Sequence, residues 1–257
     1  MALDTGLAAL TGAPVAMLVQ PLWQTALTVS QFAIALVVTI FIWLRSAPAH
    51  RAAHLWLLMA GAASFLLEAL ADAMLLIWHP VHGQWTIFSA FGHHVPVWVS
   101  GVFWWAFGGQ AVWMLILLRR GATSRELWKL YAFFAFTDLL FEMPPLWFDV
   151  YRYYGEQPLV WPPFIPLPLY LPFGNALVPV FAALAALWAE RSDLPRITIA
   201  PLALTAMFAA IAVYGWPVAL TLNGEAGTLL RWSGGIASII ISLLAMQLVA
   251  RQAGRSP

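Results

Sequence analysis

The chain has 257 residues, of which 62% are hydrophobic and 9% are charged, and its formal net charge is +1. Soluble domains carry about 25% charged residues, so this composition excludes both a soluble globule and a disordered chain. It also leaves no basic surface for nucleic acid. An integral membrane protein remains, and the absence of cysteine excludes disulfides and thiolate metal sites.

Apolar runs of membrane length recur along the whole chain and predict an all-α polytopic protein, a single antiparallel bundle of seven transmembrane helices. A membrane core of about 30 Å needs about 20 apolar residues. The predicted spans are residues 22–44, 55–78, 95–118, 127–147, 172–188, 197–220 and 229–250. Residues 1–21 are predicted as an interfacial N-terminal segment, residues 22–250 as the membrane domain and residues 251–257 as a cytoplasmic tail.

The distribution of cations predicts the orientation, because cytoplasmic loops are enriched in Lys and Arg. With the N-terminus outside, Arg152 and Arg231 alone fall on the outer side. The other cations fall on the inner side, at Arg45, Arg51, Arg119, Arg120, Arg125, Lys129, Arg191, Arg196, Arg251 and Arg255. We therefore predict an N-out, C-in protein of the cell (inner) membrane.

Four carboxylates interrupt the predicted spans: Glu68 and Asp72 in the second, and Asp138 and Glu142 in the fourth. Each costs at least ~2.5–3.5 kcal/mol at the centre of a membrane, which makes each a candidate functional residue. Both pairs are spaced i,i+4 and therefore share one helix face. Glu68 and Glu142 both lie about 20 Å from the inner ends of their helices, so the two pairs are predicted to meet in the outer half of the membrane.

Other polar and aromatic residues occur at the same level. His94, Trp98, Gly101 and Trp105 form one stripe if the third helix begins near residue 93, and Asn175 opens the fifth helix. Arg231, near the outer start of the seventh helix, either extends towards water or pairs with a carboxylate of the site. The sequence shows no comparable polar set in the inner half, and His79 and His82 are expected at the interface.

The outer loop of residues 148–171 is the longest connection and contains repeated prolines between aromatic residues. Proline excludes a regular helix there. The loop is interpreted either as an interfacial aromatic belt or as a lid over a cavity.

Several classes of membrane protein are excluded because the sequence lacks a residue, a repeat or a motif that they require. The only lysine, Lys129, lies at the inner start of the fourth helix, so no retinal Schiff base can form in the seventh. The three-plus-one-plus-three repeat of sugar transporters and the histidine boxes of di-iron oxygenases are also missing. We expect no cofactor and assign no metal ligand, and a haem or single metal on His94 or His79 is left open.

Two functions remain. The first is an intramembrane acid–base enzyme that cyclises or isomerises a lipophilic small molecule such as a terpenoid or sterol, because one carboxyl of a close pair keeps its proton in an apolar site. Glu68 and Glu142 are the predicted acid and base in unassigned order, Asp72 and Asp138 tune them, and His94 relays protons. The aromatic and polar residues predicted to bind the substrate are Trp98, Trp104, Trp105, Trp147, Asn175 and Arg231.

The alternative is a proton-coupled transporter, or a receptor for a hydrophobic ligand, in which the carboxylates relay protons. In either case the partners are a lipophilic small molecule and membrane lipid, not nucleic acid, and the oligomeric state is left open.

The size, the seven-helix layout and the intramembrane acids resemble the small membrane-bound terpene cyclases of meroterpenoid pathways. The combination of carboxylates and aromatic residues is also similar to that of membrane sterol isomerases. Three stretches are similar to family signature motifs: Gly92-His93-His94-Val95-Pro96-Val97-Trp98, Glu142-Met143-Pro144-Pro145 and Tyr153-Tyr154-Gly155-Glu156-Gln157-Pro158-Leu159. The terpene cyclases place an acid on a late helix, whereas this chain has only Glu225 before its seventh helix, so no residue role is transferred from the resemblance.

Overall fold

The computed structural model describes residues 12–161 and 164–253. The predicted interfacial segment and cytoplasmic tail therefore lie partly outside the described residues. The described chain is mostly helical, and each predicted span contains a helix. The helices are α1 (Pro21–Arg45), α2 (Pro48–Ala63), α3 (Glu68–Leu75), α4 (Val97–Phe103), α5 (Gln110–Arg119), α6 (Ser124–Trp147), α7 (Tyr170–Asn175), α8 (Leu177–Arg191), α9 (Ile199–Leu222) and α10 (Thr228–Ala253).

Some helices run almost without a break into the next. A 3-10 turn at Ser64–Leu67 joins α2 to α3, and a π-helical segment at Trp104–Gly109 joins α4 to α5. Another 3-10 turn, Arg196–Thr198, leads into α9. Such irregular turns rotate the helix that follows them, and π segments are frequent at functional sites.

Six helical stretches of the described chain are long and apolar enough to cross a membrane, which supports an integral membrane protein. They are Pro21–Arg45, Pro48–Leu75, Val97–Arg119, Tyr170–Arg191, Arg196–Leu222 and Thr228–Gln252. Helix α6 is also long, with 24 residues, but it is not apolar enough for this set, and it carries five charged side chains. These are Arg125, Glu126, Lys129, Asp138 and Glu142.

Helix α1 shows how the sequence is arranged for a lipid surround. Its buried residues are Gln24, Thr28, Gln31 and Ala35, so the polar side chains face the bundle. Large apolar side chains of the same helix, such as Phe41, lie on the outside. This is the reverse of a helix at the surface of a soluble protein, and it suits an apolar solvent.

Two small antiparallel sheets cover one end of the bundle. In the first, β1 (Ile77–Trp78) pairs with β4 (Arg152–Tyr153). In the second, β2 (Thr86–Ala90) and β3 (His93–Pro96) form a hairpin. The sequence analysis placed residues 95 and 96 at the start of a helix, and this was wrong: the strand continues to Pro96, and the helix begins at Val97.

Two glycines allow α2 and the π-helical segment to touch at the backbone. A Cβ atom on Gly61 would overlap the backbone of Gly108, and one on Gly108 would lie 2.9 Å from Leu58 Cα. Small residues at such crossings are typical of membrane helix pairs, where close packing replaces the hydrophobic effect. The two glycines therefore allow direct backbone contact between α2 and the π-helical segment.

The opposite end of the bundle holds a second polar cluster, around His54, Arg119 and Glu190. The sequence analysis found no polar set in this half, and that was wrong. The cluster is assembled from the ends of separate helices, so no spacing within one helix shows it.

Candidate active site

A cavity opens between α3, α4, α6 and α9, beneath the small sheets. It gives water-sized molecules about 80 Å³ of space, which corresponds to several waters. Its polar lining consists of Glu68, His79, Gln110, Thr137, Asp138, Glu142, Tyr151, Tyr153, Asn175 and Tyr214. Three of the four predicted carboxylates therefore line one cavity, among aromatic side chains.

The first acidic group of the site lies at the end of α3. Leu76 ends this helix with a left-handed backbone (φ 55°), and β1 then carries the chain back over the bundle. This turn brings His79 Nε2 to 3.4 Å from Glu68 Oε1 and 3.6 Å from Asp72 Oδ1. Asp72 is completely buried without lining the cavity, and neither of its carboxylate oxygens has a hydrogen-bond partner among the described residues.

The three side chains can share a proton, and their spacing can also accommodate a cation. One ligand atom from each lies within 4.8 Å of the others. Burial disfavours the imidazolium of His79, but the neighbouring Asp72 and Glu68 outweigh this effect and raise its pKa to about 10. The histidine is therefore expected to carry its proton at neutral pH and to neutralise part of the acidic cluster.

This raised pKa predicts a loss of stability in alkaline solution. The folded protein binds the His79 proton more tightly than the unfolded chain, whose histidine has a pKa of 6.5. The stabilisation is complete below pH 6.5 and is lost as the pH rises through about 10. Thermal unfolding in detergent should show a larger decline between pH 7 and pH 10 for the unmodified protein than for His79→Gln. Equal declines would contradict the ion-pair interpretation.

The second acidic group of the site is Glu142, near the end of α6. Its Oε2 accepts hydrogen bonds from Tyr151 Oη at 2.5 Å and Tyr153 Oη at 2.7 Å. Pairing of β4 with β1 places Tyr153 opposite Ile77. Burial and the adjacent Glu142 raise the pKa of both tyrosines well above the ordinary value, so both remain hydrogen-bond donors and orient the carboxyl group.

Asp138 lies one turn before Glu142 and belongs to a separate chain of hydrogen bonds. Asn175 Nδ2 donates to Asp138 Oδ1 at 3.1 Å, and Tyr214 Oη donates to Asn175 Oδ1 at 2.8 Å. Asn175, which was predicted to bind the substrate, thus positions a carboxylate at the cavity wall. Because the amide both donates and accepts, it links α6, α7 and α9 through one side chain.

The predicted tryptophans divide into two groups. Trp98 and Trp105 line the cavity; Trp98 packs against the rings of His79 and Tyr151, with centroids 5.7 and 5.8 Å away. Trp104 and Trp147 do not line it, and Trp147 is mostly exposed. Trp104 is the first residue of the π-helical segment, and Trp147 is the last residue of α6.

His94 and Arg231 also lie outside the cavity lining. His94 belongs to β3, not to the following helix, and its Nδ1 is 2.7 Å from Ser89 Oγ; partial burial lowers its pKa. Arg231 forms an ion pair with Glu156 of the outer loop, not with a carboxylate of the cavity. His94 therefore does not share a helix face with Trp98, Gly101 and Trp105, contrary to the prediction from the sequence.

Sequence analysis missed His79, Tyr151, Tyr153 and Tyr214 as members of the site. The first three lie on strands and turns, whose position relative to a helix cannot be obtained from helical spacing. The only sequence signal was the aromatic outer loop, interpreted as either a belt or a lid. Of its described residues, Tyr151 and Tyr153 line the cavity, whereas Trp161 and Phe164 are exposed.

Comparison with known proteins found no match to a family model, to a curated protein or to a solved structure.

Proposed function

We propose that this chain is an intramembrane acid–base enzyme that cyclises or isomerises a lipophilic small molecule without a cofactor. The observation that carries the proposal is the convergence of Glu68, Asp138 and Glu142 on one aromatic cavity. Carboxyl groups are expensive at membrane depth, and each of these faces a space in which a ligand can bind.

Glu68 and Glu142 are the proposed acid–base pair. A positioned carboxyl group can protonate an alkene, epoxide or carbonyl oxygen while a second carboxylate removes a proton elsewhere. Both groups have a fixed position. Glu142 accepts hydrogen bonds from the phenols of Tyr151 and Tyr153, and Glu68 lies beside the imidazole of His79. His79 takes the place beside the acids that the sequence analysis proposed for His94, and Asp72 keeps it charged.

The cavity walls suit a reaction in which positive charge develops. Aromatic faces attract cations, by about 0.5–2 kcal/mol depending on solvent exclusion. Trp98, Trp105 and Tyr151 present such rings to the cavity. Asp138 lies at the same wall and offers a further negative group, oriented by Asn175.

The small volume of the cavity has a consequence for substrate entry. Because the cavity offers water-sized molecules only about 80 Å³, we propose that its walls separate when a terpenoid or sterol binds. We propose that residues 148–161 of the outer loop move, because they contribute Tyr151 and Tyr153 to the lining. Closure would then complete the hydrogen bonds to Glu142.

We further propose that all seven predicted segments cross the cell membrane with the N-terminus outside, and that α6, the fourth predicted span, crosses together with the six apolar stretches. The natural absence of cysteine allows a direct test at the two ends of α9. Glu225→Cys should react with a membrane-impermeant maleimide in intact cells, whereas Ser192→Cys should react only after permeabilisation. Both positions are exposed; the reverse labelling pattern would contradict the proposed orientation.

Deletion of the gene in its native host tests the function even when the substrate is unknown. Cyclisation or isomerisation conserves the molecular formula, so the deletion strain should accumulate a lipophilic compound with the mass of the missing product but a different retention time. A transporter would change the distribution of a compound between cells and medium and leave its structure unchanged. That second result would overturn the proposal.

A further inference from the structure

The second polar cluster of the bundle forms a built network at the end where α1, α5 and α8 finish. His54, almost fully buried, has Ser46 Oγ 2.6 Å from its Nδ1 and Arg119 Nη1 2.7 Å from its Nε2. Arg119 also donates two hydrogen bonds to Glu190, at 2.9 and 2.5 Å. The arginine is thus held in one orientation beside the bundle surface.

A groove of about 380 Å³ adjoins this network. Its lining contains three arginines and two histidines but no carboxylate among the described residues. The residues are Phe41, Ile42, Arg45, Ser46, Ala47, His50, His54, Ile116, Arg119 and Arg120. Glu126, the ion-pair partner of Arg120, does not line the groove. Glu190, the partner of Arg119, does not line it either, and Arg45 has no ion-pair partner among the described residues, so the surface of the groove is positively charged.

The polarity of the groove changes along the helix axes. Phe41 precedes Arg45 by one turn of α1, and Ile116 lies four residues before Arg120, the residue that follows α5. One turn corresponds to about 5.4 Å, so an apolar wall lies about that far behind a cationic rim, towards the middle of the bundle. Phe41 is largely exposed, and the Arg45 guanidinium lies 5.5 Å from its ring centroid.

The start of α2 adds a further feature that favours an anion. Its N-cap residue, Ala47, lines the groove and supplies no side-chain hydrogen bond to the helix. Pro48 has no backbone N–H and His50 N–H donates to Ala47 O, so it is mainly the helix dipole that favours negative charge at this end. The helix start and the arginines thus face the same groove.

We propose that this groove binds an anionic phospholipid, with its phosphate at the arginine rim and the start of an acyl chain against Phe41 and Ile116. Basic sites between membrane helices on the cytoplasmic side are suited to anionic headgroups, and the cation distribution assigns this end to that side. The site is at the opposite end of the bundle from the acidic cavity, so the proposal does not depend on the proposed enzymatic function.

Lipid titration of the delipidated full chain in neutral detergent tests this site. Dioleoylphosphatidylglycerol should raise the unfolding temperature and remain bound in native mass spectrometry, whereas dioleoylphosphatidylcholine should do neither. Arg45→Gln should weaken phosphatidylglycerol binding about fivefold, since one cation near the surface contributes about 1 kcal/mol. Arg120→Gln should act similarly, while Arg125→Gln, which removes the same charge from an exposed position outside the groove, should bind like the unmodified protein.

Three results would overturn the proposal. Equal stabilisation by both lipids would show that the groove does not select an anion, and equal loss in Arg45→Gln and Arg125→Gln would show a general charge effect. Equal stabilisation by inorganic phosphate would identify a site for a free anion instead of a lipid. Arg45 is exposed and contacts only a ring in its own helix, so its substitution leaves the fold intact.

Discussion

Glu142→Gln and Glu68→Gln should each reduce turnover about 10²–10⁴-fold, the usual contribution of a general acid or base. Glutamine keeps the shape of the side chain and can still accept the hydrogen bonds of Tyr151 and Tyr153, but it cannot exchange a proton with a substrate. The loss should appear in the ratio of product to precursor when each variant replaces the natural gene in the deletion strain.

Glu225→Gln is the matched control for these variants, because it makes the same change at an exposed position between α9 and α10. It should leave turnover unchanged. The double variant Glu68→Gln/Glu142→Gln should be little worse than either single variant, because two residues that act as one unit are not additive. Undiminished turnover in the double variant, with normal amounts of folded protein, would contradict the assignment of both residues.

The second large effect is expected at the crossing of α2 and the π-helical segment. Gly61→Ala adds a single Cβ atom that would overlap the backbone of Gly108, and backbone cannot move aside as the end of a side chain can. Overpacking usually costs about 1–3 kcal/mol, and we expect the upper end of that range or more, because two helices must separate. Thermal unfolding in detergent and size-exclusion profiles should show a strongly destabilised protein.

Gly227→Ala provides the comparison, since a Cβ atom there would meet nothing within 4 Å. It should unfold at the temperature of the unmodified protein. An unchanged unfolding temperature for Gly61→Ala would show that the two helices are not in backbone contact.

The positions of the helices could be predicted from the sequence because a membrane-spanning helix is encoded by a local run of apolar residues. The span that contains α7 and α8 was predicted at residues 172–188 but extends over Tyr170–Arg191. The prediction was too short because a hydrophobic run does not include the polar residues at the ends of a helix. The i,i+4 spacing correctly placed Asp138 and Glu142 at one cavity wall. The same spacing predicted that Glu68 and Asp72 lie close to each other, and both lie beside His79.

The rest of the candidate site depends on contacts between distant parts of the chain. Two residue pairs join β1 to β4 across more than 70 positions, and no periodicity marks such a short pairing. That pairing places Tyr153 at Glu142, and the turn at Leu76 returns His79 to the acids. The same limit explains the failure at His94, which was assigned to a helix because the hairpin of Thr86–Ala90 and His93–Pro96 was not predicted.

The proposed function is tested most directly by conversion of the accumulated compound by the purified protein in detergent micelles, without a membrane or a proton gradient. We expect a product of unchanged mass, formed without added cofactor, at a rate that falls about 10²–10⁴-fold in Glu142→Gln and is unchanged in Glu225→Gln. An absence of conversion in micelles, together with pH-driven uptake of the same compound into sealed vesicles, would contradict the proposed function and identify a transporter.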